Sequence, residues 1–384
     1  MTRYTRIFAV LIAMVFAPVA MGQASLIPSP PELGSRSYVL MDADSGQVLV
    51  ERDRDNRLAP ASLTKMMTAY IADREMAEGR MTLDDEIRIS EQAWRTGGSR
   101  MFVQEGSRVR VEDLMRGVVI QSGNDASVAL AEHISGGEGS FAEVMNQQAA
   151  QLGMRNTNFT NATGLPDPDQ YSTAYDMALL AIAKIRHFPD SYEMYSERYF
   201  TYNDIRQPNR NRLLWRDQSV DGLKTGHTSD AGYCLVASAE RDGMRLVAVV
   251  MGASSDEARA REVQQLLNYG FRYFETHRLF NEGEKVMDSR VWGGKEPLVD
   301  LGVSRSVYVT IPTGSRDKLE STVDVDSVLQ APLAEGDEYG RLTVKLNGDT
   351  LVDEPLLALQ PVEEGGFFKR IWDAIKLFFF QLFQ

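Results

Sequence analysis

The chain has 384 residues, 43% apolar and 25% charged, long enough for two domains that each bury a core. Its 41 basic and 54 acidic side chains leave a formal charge of −13, which argues against a broad nucleic-acid surface, and no nucleic acid is expected as a partner. The histidines His133, His187, His227 and His277 are scattered, and no C-x-x-C, H-E-x-x-H or Walker-type glycine loop occurs, so no metal and no cofactor is expected.

Arg3 and Arg6 precede an almost wholly apolar run from Ile7 to Ala20, followed by the small residues Gly22 and Ala24. Positive start, short apolar core and small-residue exit describe a secretory signal peptide over residues 1–24, cut ahead of Ser25. The run contains Pro18 and is shorter than the ~20 residues a membrane span needs. No cysteine follows it, which excludes lipid attachment at a new N-terminal cysteine.

Residues 25–277 mix strand and helix patterns. "YVLMDADSGQVLVE" holds two strand-like runs around the turn Asp44-Ser45-Gly46. Helical periodicity marks about 61–77, 111–121, 125–134, 140–152, 175–186 and 256–275. "GYCLVASAERDGMRLVAVVMG" is again two apolar runs joined at Asp242-Gly243. Strands at both ends with helices between them predict an α+β domain, one antiparallel sheet covered by helices. Cys234, the only cysteine, is read as a small buried strand residue that can form no intrachain disulfide.

From about Leu279 the pattern changes to short strands, with Asn347-Gly348 as a tight hairpin turn, predicting a small all-β domain over 278–364. After the diglycine Gly365-Gly366, residues 365–384 read as an amphipathic helix that the diglycine detaches from the rest. Phe368, Ile371, Trp372, Ile375, Phe378, Phe379 and Leu382 share one face. Lys369, Arg370, Asp373, Lys376 and Gln384 share the other, with Phe380 intruding. Such a helix is expected to lie in a membrane interface, since crossing would bury Asp373 and Lys376 in mid-bilayer.

Chemistry enters at "RLAPASLTKMMTAY", where Ser62 precedes Lys65 by three residues. Roughly one S-x-x-K is expected by chance in a chain this long, and a second occurs at Ser315/Lys318. Pro60 suits a helix start, and Leu63, Met66, Met67, Tyr70 and Ile71 form a buried stripe running toward Gly79. Ser62 and Lys65 then lie one turn apart on one face, with Ser62 at the anion-stabilising end of the helix. Ser315 follows Pro312-Thr313-Gly314 in the β region, where no helix is signalled, and is the coincidence. A lysine serves as a general base only if its pKa falls well below ~10.4, which burial and a second cation both favour. "DGLKTGHTSDAGY" offers that cation as Lys224, followed by Thr225 and Gly226. "QSGNDAS" supplies Ser122-Gly123-Asn124 at a break between two helical stretches.

These three elements in this order resemble the penicilloyl-serine transferases. "ASLTKMMTAY", "QSGNDAS", "NRNRLLW" and "DGLKTGHTSDAGYCLVAS" are similar to the low-molecular-mass penicillin-binding proteins that are D-alanyl-D-alanine carboxypeptidases, a likeness spanning nearly the whole chain. The resemblance implies a transpeptidase-like domain, a peptidoglycan stem peptide as substrate and β-lactams as inhibitors. Ser62 would form the acyl-enzyme, Lys65 would activate it, and Ser122 would relay a proton to the leaving D-alanine. Asn124 would orient Lys65 and bind the substrate amide. Lys224 and Thr225 would hold the terminal carboxylate, with Lys224 also depressing the pKa of Lys65. The oxyanion hole would be the N–H groups of Ser62 and His227, next to Gly226. His227 is read as part of this strand rather than as the base. Arg210 and Arg259 resemble family arginines that help hold a carboxylate, with Asp176 as a partner for Arg210. "NATGLPDPDQYSTAYD" carries Asp167, Asp169 and Asp176 but no glutamate, which favours a peptidase inhibited by penicillin over an efficient β-lactamase. A β-lactamase, an endopeptidase of the same superfamily and a non-catalytic cell-wall scaffold are the alternatives. The expected location is the periplasmic face of the cytoplasmic membrane.

Overall fold

A computed structural model describes residues 27–382, so the expected signal peptide and Gln384 lie outside the described residues. In chain order, β1 (Ser37–Asp42) and β2 (Val48–Arg52) form the first hairpin, followed by α1 (Lys65–Ala77). The helical part then carries β3 (Glu86–Arg88), α2 (Glu91–Arg95), β4 (Arg108–Arg110), α3 (Val111–Arg116), α4 (Asn124–Ser135), α5 (Glu138–Gln151) and α6 (Ala174–His187). After α7 (Pro189–Tyr192) come the hairpin β5 (Tyr199–Tyr202) and β6 (Ile205–Pro208), and α8 (Leu213–Arg216). Strands β7 (Val220–Thr228), β8 (Gly232–Arg241) and β9 (Met244–Ala253) and helix α9 (Asp256–Tyr273) complete the unit. The unanticipated small hairpins and α2, α7 and α8 are all too short for a hydrophobic period to show.

The main sheet is antiparallel throughout, in the order β2-β1-β9-β8-β7, which leaves β7 at an edge. Both faces are buried. Val39, Met41, Val247, Val249 and Met251 pack on the helical layer around α1, while Leu40, Leu246, Ala248 and Val250 pack on α9. This two-residue alternation follows from the pleat. Helix α1 is more buried than its stripe suggested, because it runs through the middle of the helical layer: every residue from Lys65 to Asp73 is buried. Asp73 is accommodated there by an ion pair with the buried Lys184 of α6.

The second expected helix ends early. α3 stops at Arg116, and Gly117–Gln121 form a wider π-helical turn that delivers Ser122 at φ 66°. Such turns are frequent at functional sites.

Helix α9 hands over without a loop to β10 (Phe274–Phe280), which pairs with Val307–Pro312. A six-stranded sheet follows, and at its hairpin Asn347 and Gly348 both take positive φ, as a type I′ turn requires. Buried Asp42 joins the two parts by accepting from Thr276 Oγ1 at 2.7 Å, while Ser45 Oγ and Thr310 Oγ1 lie 2.6 Å apart.

The C-terminal helix α10 (Phe367–Leu382) corrects one expectation: the diglycine does not detach it. Gly365 N–H donates to Gly293 O at 2.8 Å, and Asp373 accepts from Gly293 N–H at 3.2 Å. Lys369 donates to the Lys295 carbonyl, Arg370 pairs with Glu364, and Phe380 packs on Trp292 with centroids 5.9 Å apart. The mostly polar face therefore docks on the β region, which accounts for Phe380. The aromatic face is turned outward, with Phe368 86% and Trp372 60% exposed. Among the described residues no helix is long and apolar enough to cross a membrane.

Candidate active site

Ser62 lies in a 3₁₀ turn, Ala61–Thr64, that feeds directly into α1. With three residues per turn, positions i and i+3 eclipse, so S-x-x-K on this element stacks the serine and lysine side chains. Lys65 Nζ sits 3.2 Å from Ser62 Oγ and is the only side chain bonded to it among the described residues. The amine also donates to Asn124 Oδ1 at 2.7 Å and to the Thr163 carbonyl. Burial lowers the Lys65 pKa to about 7, helped by the Arg210 guanidinium and opposed by the charges of Asp125 and Glu138. A neutral amine near pH 7 can accept a proton, as a general base must. Lys224 is pushed well below its ordinary range as well, by burial first and then by Lys65, Arg210 and Arg259.

Ser122 occupies the left-handed corner between the π-helical turn and α4, and its buried hydroxyl has no hydrogen-bond partner. A buried hydroxyl left unpaired costs stability, and this one is free to bond an incoming group. Asn124 is held from two sides: its Nδ2 donates to Gly97 O at 2.6 Å and its backbone N–H to Ser99 O at 2.7 Å. With one Nδ2 hydrogen fixed on a carbonyl, Oδ1 faces the Lys65 amine.

Lys224 lies on the edge strand β7, where its Nζ finds only the Thr225 carbonyl, at 3.2 Å. Among the described residues no carboxylate pairs with Lys224 or Arg210, so both offer N–H donors with no anionic partner of their own, as an incoming anion requires. Gly226 lets β7 lie against the Ser62 turn, since a Cβ there would sit 2.9 Å from Pro60 O and 3.3 Å from Ser62 N. Thr225, the residue of β7 after Lys224, is buried. His227 is exposed and stacks on Tyr233 with centroids 4.0 Å apart, without a bond to Ser62. The Ser62 amide falls in the first turn of its helix, where N–H groups lack an intrahelical acceptor.

Arg210 and Arg259 line one cavity of about 520 Å³ together with Gln121, Arg206, His227 and Tyr233. Arg210 Nε donates to the Gln121 carbonyl at 3.1 Å. Arg259 donates to the carbonyls of Gly226 (2.9 Å) and Cys234 (3.3 Å) and pairs with Asp256, so it braces the strand carrying Lys224. The expected Asp176–Arg210 pair does not form. Asp176 lies in the first turn of α6 and accepts instead from Asn156 N–H (2.9 Å) and Thr157 Oγ1 (2.7 Å). Of the other loop carboxylates, Asp167 accepts from Asp169 N–H and lines a second cavity, about 270 Å³, beside Ala61 and Gly164. Cys234 is fully buried with its thiol pKa pushed up to about 11, so it stays protonated. Ser315 precedes a three-residue 3₁₀ turn, unsignalled in sequence, and its bonds are backbone ones, to Pro312 O and from Lys318 N–H.

Sequence reasoning missed Thr163, Gly97 and Ser99. They act through backbone carbonyls, which leave no side-chain signature. Among the described residues, no group of three or more His, Cys, Asp or Glu side chains is placed to hold a metal.

The family model described as D-alanyl-D-alanine carboxypeptidase matches residues 24–255, and that of the penicillin-binding protein 5 C-terminal domain matches 274–364. The chain is 42% identical over 396 residues to the D-alanyl-D-alanine carboxypeptidase DacC of Escherichia coli, covering 100% of this chain and 99% of that one. It is 43% identical to DacA of Haemophilus influenzae over 355 residues, 91% of this chain and 90% of the relative. The crystal structure of penicillin binding protein 5 from Haemophilus influenzae superposes with a TM-score of 0.84 at 44% identity, covering 88% of this chain and 100% of that one.

Proposed function

The chain belongs to the D-alanyl-D-alanine carboxypeptidase family of serine peptidases, penicillin-binding enzymes that act on peptidoglycan stem peptides, and on that premise we propose that Ser62 is its nucleophile. Ser62 Oγ attacks the carbonyl between the two terminal D-alanines while neutral Lys65 takes its proton. The Ser62 and His227 amides receive the developing oxyanion. Ser122 passes a proton to the nitrogen of the departing D-alanine, whose carboxylate is held by Lys224, Thr225 and Arg210. Asn124 keeps Lys65 in place and offers its second Nδ2 hydrogen to the substrate amide. The free edge of β7 pairs with the extended peptide. Lys65 then deprotonates the water that hydrolyses the acyl-enzyme. The division of the chain at 277/278 and 364/365 belongs to the same reading.

The contact that carries the proposal is Lys65 Nζ, buried, lowered to about 7 and 3.2 Å from Ser62 Oγ. The test is mass spectrometry of the mature protein incubated with a D-Ala-D-Ala pentapeptide and, separately, with benzylpenicillin. One alanine should leave the peptide, and the penicilloyl adduct should map to the digest fragment containing Ser62. An adduct elsewhere removes Ser62 from the role. Faster turnover of penicillin than of peptide makes the protein a β-lactamase, and neither reaction leaves a scaffold.

For α10 the proposal is that its outward aromatic row enters the headgroup region of a bilayer, placing the exported enzyme on the periplasmic face of the cytoplasmic membrane. Phe368→Asp with Phe379→Asp is expected to abolish co-sedimentation with anionic phospholipid vesicles while peptide hydrolysis in solution stays within twofold of wild type. Retained sedimentation would show that another surface binds.

A further inference from the structure

The S-G-N element is followed by Asp125, a carboxylate that the proposed mechanism does not use. It is 1% exposed and, among the described residues, has no ion-pair partner. Its Oδ1 accepts from the N–H of Met101 (3.0 Å) and of Ala126 (3.0 Å), and its Oδ2 from those of Phe102 (2.9 Å) and Val103 (3.2 Å). Four amide donors on one carboxylate exceed what a helix cap supplies, and three of them come from a different segment. Phe102 is held there at φ 71° with its side chain exposed, a backbone conformation a phenylalanine keeps only where its surroundings impose it.

The upstream half of the same segment presents its carbonyls to the neighbouring residue. Gly97 O and Ser99 O accept from the side chain and backbone of Asn124. Residues 97–103 therefore clasp α4 at two adjacent positions, by carbonyls at Asn124 and by amides at Asp125. The glycine of S-G-N fits the same arrangement. A Cβ at Gly123 would lie 2.8 Å from Asp125 Oδ1, 3.2 Å from Met101 N and 3.3 Å from Gly117 O, so the carboxylate occupies the space a side chain at 123 would need.

We propose that Asp125 is a fourth member of the S-G-N element, a positioning residue that anchors the 97–103 segment and through it holds Asn124 on Lys65. The assignment rests on Ser62 being the acylated residue. Asp125 also bears on the electrostatics of the base: the charges acting on Lys65 are Arg210 on the cationic side and Asp125 and Glu138 on the anionic side, beside the dipoles of Ser62, Asn124 and Thr163.

The test is a double-mutant cycle between Asp125→Asn and Asn124→Ala in the mature enzyme, reading the second-order rate of acylation by a labelled penicillin. Asp125→Asn is expected to slow acylation at least tenfold in the wild-type background and less than twofold when Asn124 is already alanine. The acid limb of its pH–rate profile should move to lower pH, because a negative charge that favours protonated Lys65 is gone. If Asp125→Asn does not fold, Asp125→Glu, which keeps the charge but shifts the carboxylate off the three amides, enters the same cycle with the same expected coupling and an unmoved acid limb. Equal slowing in both backgrounds, or a lower melting temperature with unchanged rate, reduces Asp125 to a stabilising cap and overturns the assignment. Absence of acylation at Ser62 in the wild type is a separate failure, that of the proposed nucleophile.

Discussion

Replacing Lys65 by methionine is expected to slow acylation by about a thousandfold or more, as thoroughly as Ser62→Ala, with the double variant no slower than either. Nucleophile and base act as one unit, so removing either removes the step. The same substitution should change how stability depends on pH. In the folded chain the Lys65 amine is lowered to about 7, whereas in the unfolded chain it titrates near ~10.4. Between those values the unfolded chain holds a proton that the folded chain has released, so this group's contribution to stability rises with pH across that window. Below about 7 both forms are protonated and the cost of the buried ammonium is present in full; above ~10.4 it vanishes. Methionine carries no charge at any pH, although it leaves Asn124 Oδ1 and the Thr163 carbonyl without their donor. The melting temperature of Lys65→Met relative to wild type should therefore be higher at pH 6 than at pH 9.5. The wild-type acylation rate should show an acid limb near pH 7. A pH-independent difference in melting temperature, or more than a tenth of wild-type acylation, would mean that Lys65 is not the neutral base.

Ser62, Lys65, Ser122, Asn124 and Lys224 could be picked out as a candidate set because each is a side chain within a short motif, on an element whose period is readable. Ser62 and Lys65 gain from a regular turn, which converts a three-residue spacing into a contact. Groups that act through their backbone were illegible. The Thr163 carbonyl that holds Lys65 and the Gly97 carbonyl that holds Asn124 lie in segments readable only as loops. Pairings across the fold were equally hidden. Asp176 has its partners within twenty residues, at Asn156 and Thr157, whereas a pairing with Arg210 depends on tertiary distance, which no local pattern encodes. The terminal helix divides the same way. Its two faces followed from a period of 3.6, but which face meets protein depended on Gly293 and Trp292, some eighty residues earlier. Periodicity separates apolar from polar; it does not say what each side touches.

Gly164→Ala is expected to slow acylation by about a hundredfold and to lower the melting temperature by several degrees. Gly164 has φ +81°, and a Cβ built on it would fall 1.9 Å from the Ala61 carbonyl oxygen, 2.4 Å from the Ala61 carbonyl carbon and 3.0 Å from Ser62 N. All three are backbone atoms, so no side-chain rotation relieves the overlap. Ala61 is itself at φ 48°, immediately before the nucleophile, so its turn has little freedom to retreat. Moving Gly164 instead would drag the preceding Thr163 carbonyl away from Lys65. Either adjustment displaces one member of the Ser62–Lys65 pair, and a displacement of about 1 Å is worth roughly a hundredfold in rate. The stability loss has a separate origin in the left-handed backbone, which costs an alanine about 1–2 kcal/mol. Gly136→Ala separates the two effects, because Gly136 shares the conformation (φ +77°) but a Cβ there would meet nothing within 4 Å. It should lower the melting temperature and leave the acylation rate within twofold of wild type. Thermal melts and penicillin acylation on both variants decide the matter. Equal rate losses at the two glycines would assign the effect to general destabilisation, while matching melts with acylation lost only at Gly164 places the loop holding Thr163 and Gly164 within the machinery that aligns the nucleophile with its base.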